Sequence, residues 1–203
     1  LILDCYTDEP AGLGVPPYLG TYPRYLYGYL LGEGYDVEYI NIDDLRLHKL
    51  YNGVKRQPSE KQKTNIRVYN TTGADTRRLL SECDVMYVII GVHVPGKYLS
   101  AIPGTLNEVA KLLASEKIKK VFTGPAVFGT QLEGGKFFEK SDISSFDDVL
   151  DMNWSYDDIS GYSVLGAELL SGLEGLHVLE IETGRGCSRK VGCSFCTETI
   201  NSP

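Results

Sequence analysis

Three cysteines near the end of the sequence are the residues best suited to bind a metal. Cys187, Cys193 and Cys196 are separated by five and then two residues, in the segment Thr183-Gly-Arg-Gly-Cys-Ser-Arg-Lys-Val-Gly-Cys-Ser-Phe-Cys196. Gly184 and Gly186 before the first cysteine and Gly192 before the second allow the backbone to curl, so that three thiolates can face a common centre. Soft thiolate ligands select zinc, copper(I) or an iron–sulfur cluster. We therefore predict a metal centre in this segment.

The surroundings of these cysteines favour ionised thiols. Arg185, Arg189 and Lys190 lie within the segment, and no acidic residue occurs between positions 184 and 197. Their positive charge stabilises thiolates and offsets the charge of a cluster. The remaining two of the five cysteines, Cys5 and Cys83, stand alone in apolar stretches. An odd number with this distribution favours a metal site over a secreted disulfide framework.

Two other uses of the cysteines stay open. A structural zinc site needs a fourth ligand, which would come from His177, Glu198, a distant cysteine or residues beyond this sequence. A redox disulfide between Cys193 and Cys196 would leave Cys187 without a role. A cubane cluster held by three cysteines keeps one iron open, which favours catalysis over simple electron transfer.

Residues 177–203 resemble the radical S-adenosylmethionine enzymes, whose cluster loop follows the first strand of a barrel. Phe195 occupies the aromatic position before the last cysteine, whereas the first gap is five residues instead of the family's commonest three. The resemblance implies that Cys187, Cys193 and Cys196 bind three irons of a 4Fe–4S cluster and that S-adenosyl-L-methionine chelates the fourth. It also implies an electron donor such as ferredoxin or flavodoxin, whose electron cleaves the sulfonium to a 5′-deoxyadenosyl radical that abstracts a substrate hydrogen.

Hydrophobic patterning before the cysteines predicts alternating strands and helices. We expect strands at 1–6, 36–42, 84–91 and 120–123, and helices at 21–31, 74–83 and 104–116. Residues 43–73 are polar and weakly periodic, and are expected to form an exposed excursion. Apolar strands between amphipathic helices predict the α/β class. The expected architecture is a doubly wound, mostly parallel Rossmann-like or flavodoxin-like sheet.

The chain divides into three predicted parts. An α/β domain covers residues 1–154 and closes with short helices, loops and an acidic, solvated stretch after residue 140. Residues 155–176 are expected to be a connecting segment with one helical turn or more around 165–173. Residues 177–203 would supply the first strand, at 177–183, and the cluster loop of a truncated (β/α) barrel.

The first 150 residues resemble the cobalamin-binding domain that precedes the barrel in one branch of the radical enzymes. The resemblance is carried by the architecture and by the loop Gly14-Val-Pro-Pro-Tyr-Leu-Gly20 before the first helix. It implies cobalamin as a further cofactor. The Asp-x-His-x-x-Gly motif that supplies a lower-axial histidine elsewhere is absent, since His48, His93 and His177 stand in other contexts.

A ligand of a doubly wound sheet binds beyond the carboxyl ends of the strands. The candidate cofactor-binding residues there are Gly91, His93, Gly96, Gly124 and Gly129, with Phe195 beside the cluster. Glycine-rich turns let backbone amides approach phosphate or amide groups closely. The same turns also serve as ordinary connections, and His93 can be satisfied by backbone, so both interpretations stay open.

Tyrosines recur at helical spacing within and just before the first predicted helix, namely Tyr18, Tyr22, Tyr25 and Tyr29. They could line a flat corrin-like ligand. Packing against the sheet or the barrel is the favoured interpretation, because a buried helix face needs a stripe at this spacing.

Composition restricts the partners. With 20 basic and 27 acidic residues among 203, the net charge of −7 argues against binding to a nucleic-acid backbone. No apolar run approaches the roughly 20 residues of a membrane helix, so we expect a cytoplasmic protein with a small-molecule or unknown substrate. The sequence is expected to be a fragment without turnover of its own. The alternative is a non-enzymatic α/β small-molecule-binding module with structural zinc at the cysteines.

Overall fold

A four-stranded parallel sheet forms the centre of the fold. The computed structural model describes residues 1–6, 18–52, 71–91, 103–128, 133–145, 148–149, 156–172 and 178–179. Its strands are β1 (Ile2–Asp4), β2 (Tyr18–Leu19), β3 (Tyr39–Asn41), β4 (Val85–Ile89), β5 (Lys119–Thr123) and β6 (Val178–Leu179). The sheet has the order β3-β1-β4-β5, and β2 pairs with β6 in a separate parallel pair.

Helices connect these strands. In chain order they are α1 (Thr21–Gly32), α2 (Ile42–Tyr51), α3 (Thr76–Glu82), α4 (Leu106–Leu113), α5 (Pro125–Phe128) and α6 (Tyr156–Gly166). Short 3-10 helices cover Glu133–Lys136, Lys140–Asp142 and Ala167–Gly172. In the stretches that the structure describes, no helix has the length and hydrophobicity needed to cross a membrane.

The sheet is apolar on both faces. Successive strand residues point in opposite directions, so a run of consecutive apolar residues covers both faces. Ile2 and Ile89 belong to a core that contains residues of α1, and Leu3 and Val88 belong to a second core built with α2, α3 and α4. The strand order reverses at β1, so right-handed crossovers put α1 on one face and α2 to α4 on the other. The predicted doubly wound α/β class is confirmed, with the flavodoxin-like order of the first four sheet strands.

Helices α1 and α6 cross in direct backbone contact. A Cβ added to Gly28 would lie 2.0 Å from the carbonyl oxygen of Tyr162, and a Cβ added to Gly166 would lie 2.0 Å from that of Arg24. Both positions therefore require glycine. The contact lets α6 join α1 in covering one face of the sheet, where Ile159 packs against the same core.

The expectation of an exposed excursion from residue 43 was wrong for its first part, because α2 starts directly after β3. Asn41 caps the helix by accepting hydrogen bonds from the backbone N–H groups of Asp43 and Asp44, each at 3.0 Å. The Asp44 side chain in turn accepts from the Asn41 N–H at 3.0 Å, which completes a capping box. Leu45 is fully buried. Residues 53–70 lie outside the described residues.

The other predicted helices and strands agree with the structure to within a few residues. Helix α1 ends in a Schellman motif, in which Gly34 has φ +83° and the Tyr35 N–H donates to the Leu30 oxygen at 3.0 Å. The helix expected around 165–173 is longer than predicted, since α6 begins at Tyr156. The tyrosine stripe on α1 supports the packing interpretation, because Tyr25 is buried and Tyr22 and Tyr29 pack against the core.

Candidate functional site at the carboxyl edge of the sheet

Two of the predicted ligand-binding residues lie among the described residues, and both stand at carboxyl ends of sheet strands. Gly91 is buried just beyond β4, and Gly124 directly follows β5. The other candidates lie outside the described residues: His93, Gly96, Gly129, Phe195, Cys187, Cys193 and Cys196. Among the described residues, no group of three or more His, Cys, Asp or Glu side chains could hold a metal ion. The cysteine centre stays a prediction.

The crevice expected of a doubly wound sheet lies between β1 and β4, where the strand order reverses. The backbone leaving β1 is held there on both sides. The Cys5 N–H donates to the Ile89 oxygen at 2.9 Å, and the Gly104 N–H donates to the Cys5 oxygen at 2.9 Å. The turn before α4 thus crosses the end of β1. This crossing places the start of α4 next to the crevice.

Tyr6 adopts a strained backbone conformation at this edge. Its φ of +63° is rare for a bulky residue, and such a conformation costs about 1–3 kcal/mol. Two hydrogen bonds hold it. The Tyr6 N–H donates to Asp4 Oδ1 at 2.8 Å, and the phenol donates to Asp43 Oδ2 at 2.8 Å. Strain held in this way, at a predicted crevice, is a recurrent property of functional sites.

A buried arginine joins the start of α2 to the start of α4. Arg46 donates to Asp43 Oδ1 at 3.0 Å, and to both carboxylate oxygens of Glu108 at 2.8 and 2.7 Å. It also donates to the Pro103 oxygen at 3.3 Å. We call Tyr6, Asp43, Arg46 and Glu108 the ion network. Its hydrogen bonds run without a break from the strained residue after β1 to α4.

Burial raises the pKa of the phenols and of the thiol in this region. Burial, and then the charge of Asp43, raise the pKa of Tyr6 well above its usual value. Burial, and then the charge of Asp4, raise the pKa of Tyr39, whose phenol donates to Asp4 Oδ2 at 2.8 Å. Burial likewise raises the pKa of the Cys5 thiol. Cys5 is therefore a neutral core residue and not a nucleophile.

The end of β5 contains a buried hydroxyl without a partner. Thr123 is fully buried, and its Oγ1 has no hydrogen-bond partner among the described residues. The next residue, Gly124, has φ +104°, and a Cβ there would lie 2.6 Å from the Ile90 oxygen. The chain therefore turns tightly over the end of β4, with an unused hydrogen-bonding group beside it. An unpaired buried hydroxyl costs free energy unless another molecule satisfies it.

A hollow of about 400 Å³ lies between α2 and α3. Its lining is polar and includes Asp44, His48, Asp75 and Arg77. Burial, followed by the charges of Lys49 and Arg77, lowers the pKa of His48. Gly91, Thr123 and Gly124 are not among the residues that line the hollow, so we assign it no part in the candidate site.

Sequence reasoning missed the ion network, although two signals for it were present. Asp4 is an acidic residue at the end of an otherwise apolar strand. Asn41 and Asp44 have the spacing of a capping box at the end of the next predicted strand. Neither signal identifies the partners of these acids. Asp43 and Arg46 face inward only because α2 packs beside α4, a tertiary contact that local patterning does not encode.

Two archaeal proteins resemble this chain over nearly its whole length. An uncharacterised protein of Methanocaldococcus jannaschii is 37% identical over 98% of the chain, and one of Archaeoglobus fulgidus is 30% identical over 99%. The chain spans 37% and 34%, respectively, of the lengths of these relatives. No family model matches the chain, and no solved structure matches it either.

Proposed function

We propose that this chain is the amino-terminal part of a radical S-adenosylmethionine enzyme whose α/β domain binds cobalamin at the carboxyl edge of its sheet. The proposal joins the cysteine segment to the architecture of the domain. It applies to a polypeptide of the length that the two archaeal relatives have. The substrate is a small or unknown molecule, and the electron donor is of the ferredoxin or flavodoxin type.

The observation that carries the proposal is the parallel pairing of β2 with β6. Helix α1 follows β2 after a single residue, Gly20, and as a crossover helix it begins at the carboxyl edge of the sheet. β6 therefore also lies near that edge. From Leu179 to Cys187 the chain spans at most about 29 Å. The pairing thus supports a cysteine segment close to the crevice between β1 and β4.

The donor sets fit the two cofactors in different ways. Three thiols with cationic neighbours suit a cluster with one open iron, and the orphaned Thr123 hydroxyl beside Gly124 suits a polar group of a ligand. When bound, the cluster supplies the electron that cleaves S-adenosylmethionine to a 5′-deoxyadenosyl radical. Cys187, Cys193 and Cys196 would hold it. The ion network would hold the backbone after β1 in place, and Thr123 would orient the ligand.

Anaerobic reconstitution of the full-length protein with iron and sulfide tests the cysteine assignment. We expect about four irons per chain and a visible absorption that bleaches on reduction. Each of the variants Cys187→Ala, Cys193→Ala and Cys196→Ala should lose most of the iron, because a three-cysteine site has no spare protein ligand.

The matched control is Cys83→Ala, which removes a half-buried thiol outside the segment and should keep the full iron content. Stoichiometric zinc in a colourless protein would instead support the structural-zinc binding module. If all three cysteine variants keep their iron, these cysteines do not hold the cluster and the proposed radical chemistry is wrong.

The variant Thr123→Val tests the ligand position with two readouts of opposite sign. Removal of an unpaired buried hydroxyl should raise the free energy of unfolding by about 1 kcal/mol. The loss of one hydrogen bond to the ligand should weaken hydroxocobalamin binding about fivefold in a spectral titration.

Thr72→Val is the control for a hydroxyl that has a partner, because the Thr72 hydroxyl donates to Asp44 Oδ2 at 3.0 Å. This control should lower stability and leave hydroxocobalamin binding unchanged. If Thr123→Val lowers stability as well, its hydroxyl is already satisfied within the protein. If the titration shows no binding by the unmodified chain, the corrinoid part of the proposal is wrong.

A further inference from the structure

Three large apolar side chains are exposed near the carboxyl-terminal end of α1. Val164 and Leu165 on α6 are 72% and 45% exposed, and Tyr35, just after α1, is 63% exposed. Leu165 lies against α1, since a Cβ on Gly32 would be 3.6 Å from Leu165 Cδ1. We call Tyr35, Val164 and Leu165 the apolar patch. It lies on the side of the sheet that α1 and α6 cover, and not at the carboxyl edge.

The chain segments that contain the apolar patch have acidic residues and no lysine or arginine. The segments 25–42 and 141–172, which contain most of α1 and all of α6, have no lysine or arginine. The exposed acids on α6, on the 3-10 helix after it and just after α1 are Glu33, Asp36, Glu38, Asp157, Asp158 and Glu168, of which Glu38 pairs with Arg78 of α3 at 3.3 Å. Burial, and then the charges of Asp158 and Glu33, raise the pKa of Tyr162 on α6.

The opposite face of the sheet carries both signs of charge. Lys49, Arg77, Arg78 and Lys111 lie there on α2, α3 and α4, together with Glu82 and Glu108. The one arginine of α1, Arg24, is only 1% exposed and hydrogen bonds to Ser163, so it adds no surface charge near the patch. Among the described residues, α6 and the segment just after α1 thus carry exposed acids and no lysine or arginine, whereas α2 to α4 carry both signs. An excess of one sign on a surface steers partners of the opposite charge to it.

We propose that the apolar patch and its acidic rim form a docking surface for a polypeptide whose lysines or arginines flank an apolar centre. The apolar centre would cover Val164 and Leu165, and its cations would pair with the rim. The same rim repels nucleic acid, anionic membranes and acidic electron carriers. It also opposes self-association through two copies of this face, because like charges would meet. This inference does not depend on the cluster or on cobalamin.

Binding of a designed amphipathic helical peptide tests the surface. The probe is a fluorescent leucine–lysine peptide of about five turns, compared with a leucine–glutamate peptide of the same pattern. We expect the chain to bind only the lysine peptide, with an affinity that falls as salt is added. The double variant Val164→Asn with Leu165→Asn should weaken binding about tenfold, because it removes the desolvated centre.

The matched control is Leu50→Asn, which replaces a leucine on α2 that is 55% exposed, on the opposite face. It should leave binding unchanged, and thermal unfolding should confirm that both variants fold. Equal effects of the two substitutions, or equal binding of the two peptides, would overturn the proposal. So would self-association of the unmodified chain in sedimentation that the double variant abolishes, since the patch would then be covered by a second copy.

Discussion

Replacing Gly166 by alanine is expected to lower the free energy of unfolding by about 3 kcal/mol or more. The new methyl group would stand 2.0 Å from the Arg24 carbonyl oxygen. Because the obstacle is backbone, no side-chain rotation relieves it, and α1 and α6 must separate. Overpacking of this kind usually costs about 1–3 kcal/mol, and rigid contacts lie at the upper end. Gly28→Ala should behave in the same way, since its methyl group would meet the Tyr162 oxygen at the same distance.

Gly161→Ala provides the matched control within α6. Nothing lies within 4 Å of a Cβ at Gly161, and the residue is exposed. Alanine there should raise the free energy of unfolding by up to about 1 kcal/mol through helix propensity. Urea unfolding of the three variants measures both signs. Stabilisation by Gly166→Ala would show that the two helices do not touch as described.

Arg46→Met is expected to lower the free energy of unfolding by about 3–5 kcal/mol, because it leaves Asp43 and Glu108 without their shared cation. Burial acts to lower the pKa of Arg46, but the hydrogen bonds and charges of Glu108 and Asp43 outweigh burial and raise it. The Asp43 side chain is 4% exposed, so water cannot replace the lost guanidinium. Loss of the network should also release Tyr6 from its strained conformation.

Arg78→Met is the control for this effect. Arg78 also contacts two carboxylates, those of Glu82 at 2.8 Å and Glu38 at 3.3 Å, but all three side chains are about half exposed. Exposed pairs contribute about 0–1 kcal/mol, so we expect a small change. Urea unfolding at neutral pH compares the two variants. If both variants lose the same free energy of unfolding, the buried pairs of Arg46 stabilise the protein no more than exposed pairs do.

The fold was predictable because its signals are local. The apolar residues 84–91 are long enough and sufficiently free of breakers to identify β4, and Gly34 marks the end of α1 through its left-handed conformation. In α4, Val109 and Leu113 recur at helical spacing and are buried as that spacing requires. Alternation of such segments was sufficient to predict a parallel, doubly wound sheet.

The candidate site was only partly predictable. Gly91 and Gly124 were expected at strand ends from their positions after apolar runs, and they lie there. The buried hydroxyl of Thr123 and the strain at Tyr6 gave no signal in the sequence, because both depend on neighbours from other elements. Helix α2 was missed for the same reason: Asp43, Asp44 and Arg46 look like a solvated segment until their partners are known.

The sequence by itself determined the order of the secondary-structure elements, the class of the fold and the thiol set that makes a metal centre plausible, because periodicity, breakers and ligand spacing are properties of short segments. Only the tertiary structure decided which charges are buried together, where glycine is required and which strand lies beside β6. These features arise from contacts between residues far apart in the chain. Burial then changes both the pKa values of these groups and their contribution to the free energy of unfolding.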